Sequence, residues 1–173
     1  MTHVQKTVDA LKTKFPEAVA EVIEFRGETT VVIKPESLLT VCQFVKDDPE
    51  LSYRCLVDLA GVDYYPAEPR FGISYIVFAM GASARIRIKV LINGDDPTVD
   101  SVVGVWRNAD WYEREAFDML GIKFNNHPDL RRILMPADWV GYPHRKDYPL
   151  GYEEVQFSFN WREVDAKKPY AKE

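Results

Sequence analysis

The chain has 173 residues, 46% of them hydrophobic, and sets 22 Lys and Arg against 27 Asp and Glu for a net charge of -5. That is apolar surface enough for one ordinary domain plus an extension, and two separate domains are not expected. The acidic balance leaves no broad basic field for nucleic acid or an anionic membrane, and no run approaches the ~18 apolar residues that span a bilayer.

Cys42 and Cys55 are the only cysteines. They are too few for a four-ligand zinc or iron-sulfur site and are read as buried, reduced thiols. Residues 1–15 show neither a signal-peptide core nor an Arg-rich transit pattern. A cytosolic chain that reaches any membrane only through a partner is therefore expected.

Val4, Val8, Leu11 and Phe15 fall at helical spacing and Pro16 ends the pattern, so a helix is expected over 3–15. Val19, Glu21, Ile23 and Phe25 then alternate with smaller or polar neighbours, Gly27-Glu28 supplies a turn, and TTVVIK at 29–34 reads as a second strand. Pro35 opens a second helix whose buried face would be Leu38, Val41, Cys42 and Val45, and Asp48-Pro49 closes it.

Three further strands are expected over 53–64, 71–79 and 84–92, separated by PAEPR and MGAS. In the last of them Arg85, Arg87 and Lys89 alternate with Ile86, Ile88 and Val90, which predicts one apolar and one charged sheet face. A row of cations on that outer face could also receive a partner. This order predicts an α+β, two-layer domain over 1–121, with a mixed, mostly antiparallel sheet of about five strands and helices on one side. Residues 122–173 are expected to form an extended, proline-punctuated docking arm and a polar tail that frays from Asp165 to Glu173.

The junction between the two is the most informative stretch. Asp110 followed by Glu113 is a capping-box signature, and Gly121 sits where a left-handed cap would stop about three turns of helix. Beyond it Pro128, Pro136, Pro143 and Pro149 remove backbone donors and favour extended geometry, so the arm is not expected to fold on itself easily. Arg131, Arg132, Trp139, Tyr142, Arg145 and Tyr148 are side chains of the kinds enriched at interfaces, and a docking surface is the reading.

Three constellations invite chemistry. Glu115 and Asp118 share a helical face with Trp111 and Ile122 beside them, a placing that suits either an acid-base pair or a buried ion or interface network, with Arg114 able to bridge to Asp118. His127 and His144 have no third ligand at regular spacing, and His127 before Pro128 reads as a turn histidine. Arg145-Lys146-Asp147 could suggest a phosphate contact. Yet Arg131, Arg132, Arg145 and Lys146 face Asp129, Asp138 and Asp147, a near balance that argues for specific salt bridges. With no glycine-rich phosphate loop, no GxSxG and no CxxC, no independent active site, cofactor or metal is expected in this chain.

The run WYEREAFDMLGIKFNNHPDLRRILMPADWVGYPHRKDYPL resembles the signature of the thirty-kilodalton subunit, the bacterial C subunit, of respiratory complex I, the proton-translocating NADH:quinone oxidoreductase. The likeness extends upstream through LVDLAGVDYYP, RFGISYIVF and IRIKV, covering about residues 50–155. It departs from the family at His144, where an apolar residue is usual, and after Gly151, where some relatives continue into a long tail or a fused D subunit.

The resemblance implies a non-redox subunit of the peripheral arm, enzymatic only within the complex, that positions the quinone-reducing module. It implies packing against the forty-nine-kilodalton-like (D) subunit and the small iron-sulfur subunits, in a complex that carries FMN and iron-sulfur clusters, uses NADH and quinone, and lies on the cytoplasmic side of the bacterial inner membrane. Interface roles are implied for Glu113, Arg114, Glu115, Asp118 and Gly121, for His127, Pro128, Arg131 and Arg132, and for Asp138, Trp139 and Gly141. They are implied also for Arg145, Lys146, Asp147, Tyr148, Pro149 and Leu150. Two alternatives stand beside this reading: the equivalent subunit of a membrane-bound hydrogenase or of a ferredoxin- or deazaflavin-dependent oxidoreductase, and a stand-alone acid-base enzyme using Glu115 and Asp118.

Overall fold

A computed structural model describes residues 2–149 and 159–167. Helix α1 (His3–Lys14) starts where the Thr2 hydroxyl accepts the Gln5 N–H at 3.1 Å, and it buries Thr7, Val8 and Leu11. Strands β1 (Val19–Phe25) and β2 (Glu28–Ile33) form an antiparallel hairpin. Its connection, Arg26 and Gly27, has φ of 51° and 79°, the doubly left-handed turn whose twist suits a two-residue hairpin.

A 3-10 turn over Pro35–Ser37 leads into α2 (Leu38–Asp47), which buries Leu38, Val41, Cys42 and Val45, the four residues its periodicity marks. Strands β3 (Cys55–Asp63), β4 (Phe71–Ala79) and β5 (Ala84–Ile92) then run as an antiparallel meander. The hairpin and the meander are joined by parallel pairing of β2 with β5, so the sheet order is β1-β2-β5-β4-β3.

The register explains the layers. Val31 lies opposite Ile88, which lies opposite Tyr75, and Ile33, Val90 and Ile73 form the next row. These side chains share one face, and all belong to the single core that also holds Val8 and Leu11 of α1 and Val41, Cys42 and Val45 of α2. Arg85, Arg87 and Lys89 alternate onto the other face, as a strand's period of two requires. One expectation fails in detail. A bulge between Val19 and Glu21 shifts β1 by a residue, so Val22 turns inward, whereas Ile23 and Phe25 stay exposed.

Three short elements carry no readable pattern. Strand β6 (Thr98–Asp100) and strand β7 (Lys123–Asn125) pair in parallel on either side of helix α3 (Ala109–Leu120), and α4 spans Trp161–Lys167. The β6-α3-β7 unit carries the chain past the expected boundary at residue 121. Ile122 and Phe124 are buried in the main core, so the domain runs to about Asn125. Helix α3 lies against β3 at Gly61, where a Cβ would come within 2.5 Å of the Leu120 Cδ1. A larger residue there would require the Leu120 side chain to shift. Residues 150–158 and 168–173 lie outside the described residues, and with them Leu150 and most of the expected polar tail.

A candidate docking arm and its anchors

Helix α3 is the element against which the arm is built. Its start differs from the capping-box expectation. The residue preceding it is Asn108, with no side-chain cap, and Asp110 lies inside the first turn. Glu113 does not reach back to the cap. It is fully buried and turns toward β6, where Oε1 accepts the Val102 N–H at 2.7 Å and Oε2 takes the Ser101 hydroxyl at 2.6 Å. Burial, opposed by those two hydrogen bonds and reinforced by the nearby Asp110 charge, pushes its carboxyl up to about 7. His127 completes this cluster. Its Nδ1 accepts the Asp129 N–H at 3.0 Å, so Nε2 carries the proton and faces the Asp110 carbonyl at 3.3 Å. Nε2 also lies 3.8 Å from Glu113 Oε2.

The end of α3 is closed by the arm itself. Gly121 adopts φ 74° and returns its N–H to Phe117. The last carbonyls of a helix have no partner within it. Here Arg132 donates to the Asp118 carbonyl at 3.1 Å, the His144 N–H to Met119 at 3.0 Å, and Arg145 Nε to Leu120 at 2.6 Å. Two guanidinium groups thus meet the negative end of the helix dipole.

Asp118 is the central anchor. Its Oδ2 accepts three consecutive backbone N–H groups, Ile133 at 3.0 Å, Leu134 at 2.7 Å and Met135 at 2.8 Å, while Oδ1 takes Arg132 Nη1 at 2.6 Å. Burial works to raise this carboxyl, but the Met135 N–H, Arg132 and the other two amides prevail and hold it below its ordinary value. A nest of amides closed on a carboxylate wraps residues 132–135 around α3. Arg132 adds a bond to the Gly141 carbonyl at 2.9 Å.

A second anchor holds the arm's far half. Arg70 reaches Asp63 with Nε at 3.0 Å and Nη2 at 2.9 Å, and reaches Asp147 with Nη1 at 3.0 Å and Nη2 at 2.6 Å. The Lys146 N–H also donates to Asp63, at 2.8 Å. Burial opposes ionisation of Asp63, yet the Arg70 hydrogen bonds and the Lys146 and Tyr65 amides bring it down to about 2. Arg145 stacks over Tyr142 at 4.6 Å and Phe71 at 5.2 Å. Its charge is disfavoured first by burial and then by Arg70.

Several expectations are corrected by this geometry. The arm folds back on its own domain despite its prolines, because α3 carbonyls and the two aspartates supply acceptors for donors its extended backbone leaves free. Arg114 does not bridge to Asp118. It donates to the Arg131 carbonyl at 3.1 Å and the Arg132 carbonyl at 3.3 Å, and stacks on Trp111. Glu115 and Asp118 do not form an acid-base pair, since Glu115 is exposed and Asp118 is buried with its carboxylate taken up by four donors. Trp111 is exposed rather than packed beside them. Of the two thiols, Cys42 is buried and Cys55 exposed.

Sequence reading missed Asp63 and Arg70. Both stand inside the runs LVDLAGVDYYP and RFGISYIVF, and the signal was a charge at the end of each otherwise apolar strand, flanking the PAEPR loop.

Among the implied interface residues, Glu113 and Asp118 are enclosed by this chain's own groups. Arg114, Gly121, His127, Arg132, Gly141 and Arg145 also serve contacts within the chain. Glu115, Pro128, Arg131, Asp138, Lys146, Asp147 and Pro149 are exposed, and Trp139 and Tyr148 half-buried. Beside them stand Leu134, 61% exposed, and Val140, 85% exposed. Among the described residues no three His, Cys, Asp or Glu side chains converge so as to hold a metal ion, and no helix is long and apolar enough to cross a membrane.

The chain is thus of the class of two-layer α+β domains, with an extended arm fastened to it through Asp118, Asp63 and Arg70. The solved structures that resemble it define the same fold. The trypsin-resistant fragment (1-134) of Nqo5 aligns with a TM-score of 0.65 at 24% identity, covering 75% of this chain and 100% of that one. A chain of the membrane-bound sulfane sulfur reductase, an archaeal respiratory membrane complex, aligns at 0.66 and 18% identity, covering 98% and 96%.

By sequence, this chain is 46% identical over 166 residues to the C subunit of NADH-quinone oxidoreductase from Roseiflexus sp. (strain RS-1), covering 96% of this chain and 95% of that protein. It is 47% identical over 150 residues to the C subunit from Geotalea uraniireducens (strain Rf4), covering 87% and 90%. The model of the family described as respiratory-chain NADH dehydrogenase, 30 Kd subunit, matches residues 31–154, and the chain belongs to that family. It is a subunit of NADH-quinone oxidoreductase, with an enzymatic role only as part of that complex.

Proposed function

We propose that this chain is a non-redox scaffold of the complex's peripheral arm, positioning and stabilising the quinone-reducing module. Its partners in this reading are a forty-nine-kilodalton-like (D) subunit and the small iron-sulfur subunits. FMN, the iron-sulfur clusters, NADH and quinone belong to the rest of the complex, which holds this chain at the cytoplasmic side of the bacterial inner membrane. The supporting observation is the division of labour within residues 127–149. Asp118, Arg70 and the end of α3 fasten one side of the arm, while Leu134, Val140 and Asp138 are left on the other with no covering element among the described residues. Apolar side chains that exposed are characteristic of docking sites when they cluster with a polar rim.

The test is assembly against turnover in the native cell. The tagged chain is recovered, its co-purifying subunits are identified by mass spectrometry, and quinone reductase activity is normalised to complex on native gels. Leu134→Asp with Val140→Asp is expected to reduce assembled complex by about fivefold or more and leave turnover per complex nearly unchanged. Normal assembly with turnover at a few per cent would assign the arm to the chemistry instead.

A further inference from the structure

β3 is an outer strand of the sheet, and beside its free edge lies a cleft of about 270 Å³. Asp58 and Ala60 of β3, Tyr112, Glu115 and Met119 of α3, and His144 of the arm contribute to its lining. The carboxylates of Asp58 and Glu115 pair with no cation and accept no hydrogen bond among the described residues. They differ in this from Asp63, Asp118 and Asp147, each of which has an arginine. Side-chain donors cover the strand's carbonyls only at Leu56, from Asn108, and at Val57, from Tyr112. Between Asp58 and Val62 the outward edge meets no described partner, and an uncovered edge is a template for strand addition.

We propose that this cleft receives an extended, basic segment of a neighbouring subunit, lying along β3 from Asp58 to Val62 with a Lys or Arg head group between Asp58 and Glu115. The proposal rests on the reading of this chain as a subunit of the larger complex. Two uncompensated carboxylates repel an acidic peptide, a phosphate or an anionic lipid head and favour a cation. Ala60 is exposed beside Asp58 and leaves room for the aliphatic stem of such a side chain. The far wall is preformed, because the His144 N–H is fastened to the Met119 carbonyl at 3.0 Å.

The test places the photoreactive residue p-benzoylphenylalanine at Val57 or, separately, at Val62, exposed positions that flank the cleft, in the tagged full chain in its native cell. The purified complex is irradiated, digested and sequenced by mass spectrometry. The expected product joins this chain to one peptide of another subunit that contains Lys or Arg. Its yield should fall at least fivefold with Asp58→Lys and Glu115→Lys, fall in the same direction with the milder Asp58→Asn and Glu115→Gln, and hold with Glu21→Lys on the opposite edge strand. Crosslinks confined to this chain, to a second copy of it or to a peptide without a basic residue would overturn the proposal, as would yields indifferent to both charge changes. An intact complex with silent probes overturns the docking proposal alone. A chain that purifies without other subunits overturns the functional reading and this one with it.

Discussion

Replacing Glu113 by Gln isolates the cost of burying its charge. The wild-type carboxyl titrates at about 7 in the folded chain against an ordinary 4.5. A raised acid pKa means that the folded state holds a proton the unfolded state has released. The contribution to stability is therefore full below pH 4.5 and declines as pH rises through the folded value. A tenfold difference in acidity is worth about 1.4 kcal/mol, so the decline across the window totals roughly 3 kcal/mol.

Gln keeps the geometry of the protonated acid. Its carbonyl can accept the Val102 N–H and its amide can donate to the Ser101 hydroxyl oxygen, which already accepts the Val103 N–H at 3.2 Å and has a second lone pair. The Ser101 proton loses an acceptor, a cost that is the same at every pH. Urea unfolding of both proteins at pH 5, 6, 7 and 8 reads the difference, and titrations shared by the two cancel. Glu113→Gln should gain on wild type as pH rises, by up to roughly 3 kcal/mol near pH 8. Parallel stability curves from pH 5 to 8 would show that Glu113 is not buried with a proton and that the packing derived around it is wrong.

Asp118→Asn leaves Arg132 buried without its counter-charge and turns an amide NH2 toward groups that are all donors, so a loss of about 3 to 5 kcal/mol is expected. The melting temperature should then fall by roughly 10 °C, with early protease cleavage near 131–136, and an unchanged melting curve would contradict the nest. Gly121→Ala forces a side chain onto φ 74° and within 2.5 Å of the Tyr142 ring, and should cost about 1 to 2 kcal/mol. Denaturant titration checks it. Asp63, held down to about 2, adds stability that is present above its ordinary 3.8 and is lost as pH falls through the folded value. Removing its chief partner with Arg70→Ala should move the acid-unfolding limb, followed by circular dichroism, to higher pH.

Local pattern was sufficient for α1, α2 and the five long strands. A helix that buries one stripe must repeat its apolar residues about every 3.6 positions, and a strand that buries one face must repeat them at alternate positions, wherever either packs. Leu38, Val41, Cys42 and Val45, and the alternation from Arg85 to Val90, could hardly be read otherwise. The signature from Glu113 to Pro149 carried the family by resemblance, and the family match bears it out.

Tertiary structure decided what depends on partners distant in the chain. Parallel pairing of β2 with β5 leaves no mark in either strand, since the residue pattern of a strand fixes which face it buries and not which strand lies beside it. The short strands β6 and β7 show no period and exist because they pair with each other across α3. Prolines in the arm led to the expectation that it would not fold on itself easily. They could not reveal that Asp118, Asp63 and the last carbonyls of α3 stood ready to accept its free donors. Glu113 makes the same point within one helix. Its spacing from Asp110 suits a cap, but a carboxylate turns to the donors that folding brings nearest, and for Glu113 these are Ser101 and Val102. Sequence thus determined which segments form the long elements and which family they belong to, whereas the short strands and the choice of partner for each charge were made by the fold.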